Sequence, residues 1–314
     1  MSKTLFVRDL KAQDTVRTSF LVKSKTLMTA KNGKPFLSLL LSDSSGDLEG
    51  RVWEGVEEKA LLFEEGQVVA VSGRAGQFQN RLQLAIDSLV PLPKEEVNLV
   101  DYLPEGPTNT EEMYTELLGI FRGLSNSHVR SVGLALLEDE EIAVRYKVCP
   151  AAKTIHHAFL GGLLSHSLQL IRLVDVIVPL YPGVNRDLLV FGAAFHDFGK
   201  IYELTYQGAF GYSDEGKLVG HITIGAILID RKIQAMPGFP KEIEMQLKHL
   251  VLSHHGRLEY GSPKKPATLE AQILCHLDDM DSKIQSIQTL LNQESSDSHW
   301  SSYHKAYDQY YYRP

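Results

Sequence analysis

The hydrophobic pattern of this 314-residue chain changes its period partway along, and that change constrains the fold more than any other feature. Residues 14–93 are rich in β-branched and apolar residues, set in short runs between turn signals such as Asn32-Gly33, which indicates strands. From about residue 113 onward, apolar residues recur at three-to-four spacing, which indicates helices. The sequence therefore predicts a multidomain protein, an all-β unit followed by an all-α unit.

The N-terminal block has the element order of a small barrel. Three strand-like segments come first, then GVEEKALLFEEG as a short helix, and then two strands around a turn at Gln79-Asn80. That order is typical of the five-stranded OB-fold, although another small β-barrel without a ligand stays open as an alternative. We predict an OB-fold barrel for residues 1–93, a linker with two prolines for 94–112 and a helical domain for 113–314.

Seven segments of the C-terminal block carry the helical pattern. They are MYTELLGIFRGL, SVGLALLEDEEIAVRY, LLSHSLQLIRLVDVIVPLY, DLLVFGAAFHDF, HITIGAILIDRKIQ, KEIEMQLKHLVLSHH and LEAQILCHLDDMDSKIQSIQTLL. The Tyr-rich end, WSSYHKAYDQYYYRP, fits either a final helix or a subunit contact, so homo-oligomerisation is one expectation.

Charge and composition narrow the class of protein. The net charge is -7, but residues 1–93 carry 12 Lys/Arg against 11 Asp/Glu, so the first block is the better candidate for holding nucleic acid. We expect no membrane partner, because no apolar run looks long enough to cross a bilayer. The two distant cysteines fit a reducing compartment, and without a recognisable signal segment a cytoplasmic location is expected.

Histidines and aspartates occur in a regular order in the helical block. Each lies on or at the end of a separate apolar segment: His166, His196-Asp197, His221, His254-His255 and Asp278. A lone histidine on an apolar helix is more often a core residue, but a carboxylate within such a segment must be paired or metal-bound. Inward ligands from several helices build metal sites in bundles, and imidazole with carboxylate suits divalent transition metals.

With these residues the chain resembles the HD superfamily of metal-dependent phosphohydrolases. HDFGK is similar to the HDxGK of the HD-GYP subgroup, and the wider match resembles the YhaM-type 3′–5′ exoribonucleases, which also carry an OB-fold before the HD domain. The segments that carry it are PAAKTIHHAFLGGLLSHSL, LVFGAAFHDFGKIYEL, GKLVGHI, SHHG and HLDDMDSK. Ser165 departs from the acidic residue expected there, and Val148-Cys149 is also unusual, but neither departure removes a ligand.

The resemblance implies that residues 113–314 are an HD phosphohydrolase domain with two divalent ions. The implied ligands of one ion are His166, His196, Asp197 and Asp278. Asp197 would bridge to the second ion, completed by His221, His254 and His255. Mn²⁺ is the expected metal, with Fe²⁺, Ni²⁺, Mg²⁺ and Zn²⁺ as alternatives.

Two further residues are candidates for catalysis. Lys200 follows Asp197 by three residues, so a helical turn returns it to the same face. In the related subgroup this lysine faces the scissile phosphate; a surface lysine near a helix end is the alternative. His157, next to His156, is predicted to bind a substrate phosphate or to protonate the leaving oxygen. The alternative is that it only caps the helix or packs at its start.

The OB-fold prediction implies a nucleic-acid surface in the first block. Such folds bind single strands with a basic groove and stacking aromatic residues. The candidates are Lys34, Phe36, Arg51, Trp53 and Arg81. The alternative is that the aromatic residues belong to the barrel core and the basic residues are only solvated.

With this metal site, the resemblance implies a metal-dependent phosphodiester hydrolase in which metal-activated hydroxide attacks the phosphorus in line. The resemblance makes the substrate single-stranded RNA, degraded from its 3′ end, with single-stranded DNA as a second candidate. A hydrolase of a small or cyclic nucleotide is the alternative, although GRLEYGS after His254-His255 is not the full GYP signature. A non-enzymatic RNA-binding protein with a decayed site is the third.

Overall fold

The computed structural model describes residues 3–30, 32–78, 81–103, 109–152, 159–205, 211–293 and 298–313. The chain divides into two compact units. One comprises residues 1–105 with 205–211, and the other comprises residues 106–204 with 212–314.

The first unit is a closed five-stranded barrel. Its elements are β1 (Thr15–Thr29), β2 (Pro35–Asp43), β3 (Gly46–Val52), α1 (Val56–Ala60), β4 (Val68–Phe78) and β5 (Arg81–Pro91). The order around the barrel is β1-β2-β3-β5-β4, and antiparallel pairing of β1 with β4 closes it. β3 pairs with β5 in parallel, the one parallel pair among these described strands. This architecture confirms the predicted OB-fold, while the turn expected at Gln79-Asn80 lies outside the described residues.

Alternation of side chains along the strands builds the barrel core. On β2, Leu37, Leu39 and Leu41 are buried, whereas the residues between them face outward and are half-buried. Gly73 sits where the register of β4 against β5 shifts, and a Cβ there would lie 2.0 Å from the carbonyl oxygen of Ala85. Only glycine allows the two strands to approach so closely at this irregularity.

The second unit is helical. Its helices are α2 (Thr110–Arg122), α3 (Ser127–Leu137), α4 (Glu140–Val148), α5 (Gly162–Ile177), α6 (Arg186–Phe195), α7 (Lys200–Glu203), α8 (Asp214–Val219), α9 (His221–Gln234), α10 (Lys241–Ser253) and α11 (Leu269–Gln293). A short ribbon, β6 (Leu204–Thr205) with β7 (Gly211–Tyr212), follows α7 along the chain. α6 is the central helix, since it packs against α5, α10 and α11 and nearly all of its residues are buried.

One expectation about the helices differs from the structure, and one of the alternatives left open for the Tyr-rich end is excluded for its described residues. The segment SVGLALLEDEEIAVRY forms two helices, α3 and α4, because the Asp139 carboxylate accepts a hydrogen bond from the Ile142 backbone N–H (3.2 Å) and starts a new helix. The Tyr-rich end is not a helix: its described part folds back on itself through bridges between Trp300 and Tyr312 and between His304 and Gln309.

One apolar segment is long enough to span a bilayer. The segment Gly162–Leu180, which comprises α5 and the 3₁₀ turn after it, is long and apolar enough to cross a membrane. The expectation that no apolar run in the chain is long enough is therefore wrong when judged by length and composition. The helix packs against α2, α4, α6 and α11, and its polar residue His166 is fully buried among them. A core helix of a helical bundle has the same composition.

Candidate metal centre

The His196-Asp197 pair is held in place by the close packing around the end of α6. His196 is the C-terminal cap of α6 and is fully buried. Two residues beyond Asp197, a Cβ on Gly199 would lie 1.9 Å from the backbone carbonyl oxygen of His221 and 2.7 Å from the amide nitrogen of Gly225. The missing side chain therefore lets the start of α9 lie directly against this turn, which brings His221 to Asp197.

One cluster of ligand atoms surrounds one oxygen of Asp197. The Nε2 atom of His196 lies 3.5 Å from Asp197 Oδ2, 3.3 Å from His166 Nε2 and 3.7 Å from Asp278 Oδ1. Asp278, reaching in from α11, lies 3.2 Å from the same nitrogen of His166. The structure thus brings together the four residues that the resemblance implies as ligands of a first ion.

A second cluster surrounds the other oxygen of Asp197. His221 Nε2 and His254 Nε2 lie 3.3 Å and 3.5 Å from Asp197 Oδ1. His255 joins them, with ligand atoms of all four residues within 4.8 Å of one another. Asp197 belongs to both clusters, which is the arrangement of a carboxylate that bridges two ions.

Three buried atoms of the second cluster have no hydrogen-bond partner among the described residues: Asp197 Oδ1, His221 Nε2 and His254 Nε2. They approach one another within ion-pair distance but not with hydrogen-bond geometry. A buried polar atom without a partner costs about 1–3 kcal/mol, so three converging on one point would be strongly unfavourable alone. A divalent cation would satisfy all three, and the donor set therefore fits a metal.

The five histidines share a supporting pattern: the Nδ1 of each ring is hydrogen-bonded to an oxygen. The partners are the Asp281 carboxylate for His166 (2.8 Å), the Gly192 carbonyl for His196 (3.2 Å), the Glu203 carboxylate for His221 (3.0 Å), the Val251 carbonyl for His254 (2.7 Å) and the Tyr260 carbonyl for His255 (2.8 Å). Because an oxygen acceptor requires the proton on Nδ1, each Nε2 lone pair is left for a metal.

Charge compensation dominates the electrostatics of the centre. Burial lowers the pKa of His196, but Asp197 and Asp278 outweigh burial and raise this pKa to about 10. Burial raises the pKa of both aspartates, but neighbouring positive charge outweighs it. Lys200 and His196 hold the pKa of Asp197 well below the ordinary value. His196 and His166 do the same for the pKa of Asp278. The carboxylates are therefore ionised, and the positive charge beside them here comes from Lys200 and from protonated histidine, whose Nε2 proton a bound cation would replace.

Lys200 is part of the same network. It is the first residue of α7, and its Nζ donates to Asp197 Oδ2 and to the Ala151 carbonyl, both at 2.7 Å. Burial lowers the pKa of Lys200, but Asp197 more than offsets this and the pKa is raised. The side chain is thus a fixed ammonium group beside Asp197 Oδ2, the carboxylate oxygen that faces the first cluster.

Sequence reasoning missed one residue of the centre and left another open. Glu203 was not singled out, although it is buried on α7 and accepts hydrogen bonds from both Nδ1 and the backbone N–H of His221, each at 3.0 Å. Asp279 and Asp281 flank Asp278 in the segment HLDDMDSK, and from the sequence either could orient a ligand imidazole. Asp281 does so, whereas Asp279 pairs with Lys283 (2.7 Å) at the surface. His157 and His156 lie outside the described residues.

A cavity of about 590 Å³ opens onto the centre. Its inner wall includes Asp197, Lys200, His254, His255 and Asp278. Its outer wall is formed by the loop after α10 and by the exposed side of α11. Cavities that hold small ligands have volumes of roughly 300–1,000 Å³, so this one has room for part of a substrate beside the ligand atoms.

In the barrel, three predicted residues come together on the outer face of β2 and β3. Phe36 stacks on Trp53 with ring centroids 4.8 Å apart, and the Arg51 guanidinium lies 5.6 Å from the Phe36 ring centre. Trp53 is 49% exposed and directly follows β3 instead of lying within it. Lys34 lines a shallow cavity of about 390 Å³ with Trp53.

Arg81 is the exception among the predicted barrel residues. It begins β5 and pairs with Phe78. Along β5 it lies four residues, roughly 13 Å, from Ala85, the residue that pairs with Arg51. The structure therefore does not bring Arg81 to the stacked aromatic pair.

Comparisons with known proteins agree with both units. Residues 163–283 match the family described as HD domain, and residues 21–92 match the family described as OB-fold nucleic acid binding domain. The 3′–5′ exoribonuclease YhaM of Bacillus subtilis (strain 168) is 34% identical over 285 residues, covering 90% of this chain and 89% of that protein. YhaM of Listeria welshimeri is 36% identical over 284 residues, covering 90% of each.

Among solved structures, the second OB-fold domain of replication protein A from Methanococcus maripaludis matches 29% of this chain and 94% of that domain. The identity is 21% and the TM-score 0.24.

Proposed function

Since this chain belongs to the YhaM family of 3′–5′ exoribonucleases, we propose that its paired His/Asp clusters hold two divalent ions and cleave the terminal phosphodiester bonds of single-stranded RNA. The chain is a metal-dependent 3′–5′ exoribonuclease with an HD domain and an OB-fold. The observation that carries our assignment of residues is the convergence of three buried ligand atoms that lack a hydrogen-bond partner among the described residues: Asp197 Oδ1, His221 Nε2 and His254 Nε2.

We assign His166, His196, Asp197 and Asp278 to one ion and Asp197, His221, His254 and His255 to the other. Divalent ions bound there would supply a nucleophile from water at neutral pH and neutralise charge on the phosphoryl oxygens. Mn²⁺ is the ion we propose, because mixed imidazole and carboxylate ligands suit it; Fe²⁺, Ni²⁺, Mg²⁺ and Zn²⁺ are the alternatives to test.

The protein's own groups hold and orient the reacting parts. Glu203 and Asp281 fix the rings of His221 and His166, so that the ligand nitrogens keep one direction through the reaction. Lys200 lines the cavity with its ammonium fixed by two hydrogen bonds, where it would contact a phosphoryl oxygen of the substrate and stabilise charge that grows there. A role of His157 in binding phosphate or protonating the leaving oxygen stays a prediction.

We propose that the OB-fold barrel holds the RNA strand through the stacked pair of half-buried Phe36 and exposed Trp53, with Arg51 and Lys34 beside the backbone. Stacking on aromatic rings tolerates any base, which suits a nuclease that removes nucleotides in succession. Tethering a strand-binding domain to the hydrolase raises the local concentration of RNA at the active site. Arg81 would contact a more distant part of the strand, and single-stranded DNA is the competing ligand.

The alternative of a small-nucleotide or cyclic-nucleotide hydrolase is not favoured, because the relatives matched over 90% of the chain are named as exoribonucleases. We further propose that residues 1–93 act as the barrel, residues 94–112 as the linker and residues 113–314 as the HD domain. We also propose that the protein works in the cytoplasm, where free cysteines such as Cys149 stay reduced. Self-association through the Tyr-rich end stays a prediction.

The assignment of residues is tested with 5′-labelled single-stranded RNA and added Mn²⁺. Wild-type protein is expected to give a ladder that shortens from the 3′ end, and Asp197→Ala is expected to abolish it and to lower the bound metal. Asp214→Ala, a change at an exposed aspartate on α8, is the matched control. An Asp197→Ala protein that keeps both its metal and its activity would contradict the assignment.

A further inference from the structure

The loop that follows the His254-His255 pair forms the outer wall of the metal cavity. It contains a 3₁₀ turn at Leu258–Tyr260 and ends in Gly261, which has a positive φ of 86°. Ser262 fixes this loop through its N–H to the Arg257 carbonyl (3.3 Å) and its hydroxyl to the Leu252 carbonyl (3.2 Å). The Tyr260 carbonyl also accepts a hydrogen bond from His255, so the loop is tied directly to the metal centre.

Two side chains of this loop line the cavity beside Asp197 and Lys200. Tyr260 is 63% exposed, and the Arg257 guanidinium lies 5.7 Å from the centre of its ring. An exposed tyrosine or arginine by itself is ordinary on a protein surface. Here the ring and the cation lie together at the opening of a cavity whose inner wall holds the proposed metal ligands and Lys200.

Arg257 differs from the other cation on this rim. Lys283 is paired with Asp279 at 2.7 Å, so its charge is already compensated. In the described part of the chain, Arg257 has no carboxylate within ion-pair distance, although residues 94–314 carry 28 Asp/Glu against 20 Lys/Arg. An uncompensated guanidinium in an acidic domain, adjacent to an aromatic ring, is the arrangement that binds a phosphate and a base of the same nucleotide.

We propose that Tyr260 and Arg257 form a nucleotide subsite, in which the base next to the scissile phosphate stacks on the Tyr260 ring and a backbone phosphate contacts Arg257. This inference rests on the exoribonuclease function proposed above. The cavity of about 590 Å³ lies within the size range of small-ligand sites. Because every base has a π face, the subsite accepts any nucleotide while positioning the phosphate at the ions.

The subsite is tested with RNA oligonucleotides that carry one abasic residue at each of the last three positions in turn. For wild-type protein, one position is expected to lower kcat/KM by about 5- to 150-fold, the range for one base–aromatic stack. Tyr260→Ala is expected to lower kcat/KM on intact RNA by a similar factor and to lose its sensitivity to that abasic position. Tyr260→Phe keeps the ring and is expected to behave as wild type.

Tyr181→Ala, a change at an exposed tyrosine outside the cavity lining, is the matched control and should keep the abasic penalty. Arg257→Ala is expected to raise KM and to weaken the dependence of KM on salt, with bound metal unchanged. A Tyr260→Ala protein that degrades intact RNA normally, or keeps the full abasic penalty, would overturn the subsite while leaving the exoribonuclease assignment standing. RNA left intact by wild-type protein with every metal would instead remove the proposed function.

Discussion

Removing the Glu203 carboxylate tests whether the surroundings of the metal ligands control metal affinity. Glu203 contacts no proposed ion, but accepts two hydrogen bonds from His221, one from Nδ1 and one from the backbone N–H, both at 3.0 Å. In Glu203→Ala the ring loses the acceptor that keeps its proton on Nδ1, so Nε2 is no longer reserved for metal. Partners of this kind contribute about 10- to 100-fold to metal affinity.

The size of the effect follows from the contacts. A hydrogen bond to a charged group contributes about 1.5–3 kcal/mol, and the ring bond alone would account for roughly a 10- to 100-fold weaker affinity for the second ion. Glu203→Gln keeps an oxygen acceptor but loses the charge, so a smaller loss of about 5-fold is expected. Glu215→Ala, at an exposed glutamate on α8, should leave metal affinity unchanged.

The assay is a Mn²⁺ titration of RNA degradation, accompanied by calorimetric titration of the metal. The concentration of Mn²⁺ at half-maximal rate should rise in the order wild type, Glu203→Gln, Glu203→Ala, and saturating Mn²⁺ should restore most of the rate. If Glu203→Ala binds Mn²⁺ as tightly as wild type but melts at a lower temperature, the carboxylate serves only folding and our reasoning is refuted.

Three further outcomes are expected. Gly199→Ala places a Cβ 1.9 Å from the His221 carbonyl oxygen and should destabilise the helical unit by about 1–3 kcal/mol, with lowered metal content; an unchanged melting temperature and metal content would contradict this. Removing metal with a chelator should lower the melting temperature of the helical unit. Adding Mn²⁺ at 100 times its Kd should then restore about 2.7 kcal/mol of the free energy of unfolding. A melting temperature that does not depend on metal would argue against the site. Trp53→Ala should raise KM for long RNA about 5-fold or more without changing the amount of bound metal, whereas Trp300→Ala, at another exposed tryptophan, should leave KM unchanged. Equal effects of the two changes on KM would contradict RNA binding by the barrel.

The order of strands and helices was open to prediction because it depends on local patterns. The run LLVFGAAF before His196-Asp197 is apolar at every position, and the structure buries it as α6 at the centre of the helical unit. Where a polar residue interrupts an apolar pattern, the pattern alone is misleading: Asp139 was expected inside one helix, but its carboxylate caps a second one. The composition of α5 likewise fits a core helix and a membrane span equally well.

The sequence alone predicted which residues could hold metal, because histidines and aspartates recur in order at the ends of separate apolar segments that resemble the HD superfamily. It did not determine which atoms meet. Only the tertiary structure shows that Gly199 lets α9 lie against the end of α6, that Asp197 faces two clusters with its two oxygens, and that Glu203 and Asp281 hold the rings from behind. Periodicity describes one helix at a time, whereas a metal centre is made from atoms of several helices, and their distances are set by packing between segments far apart in the chain.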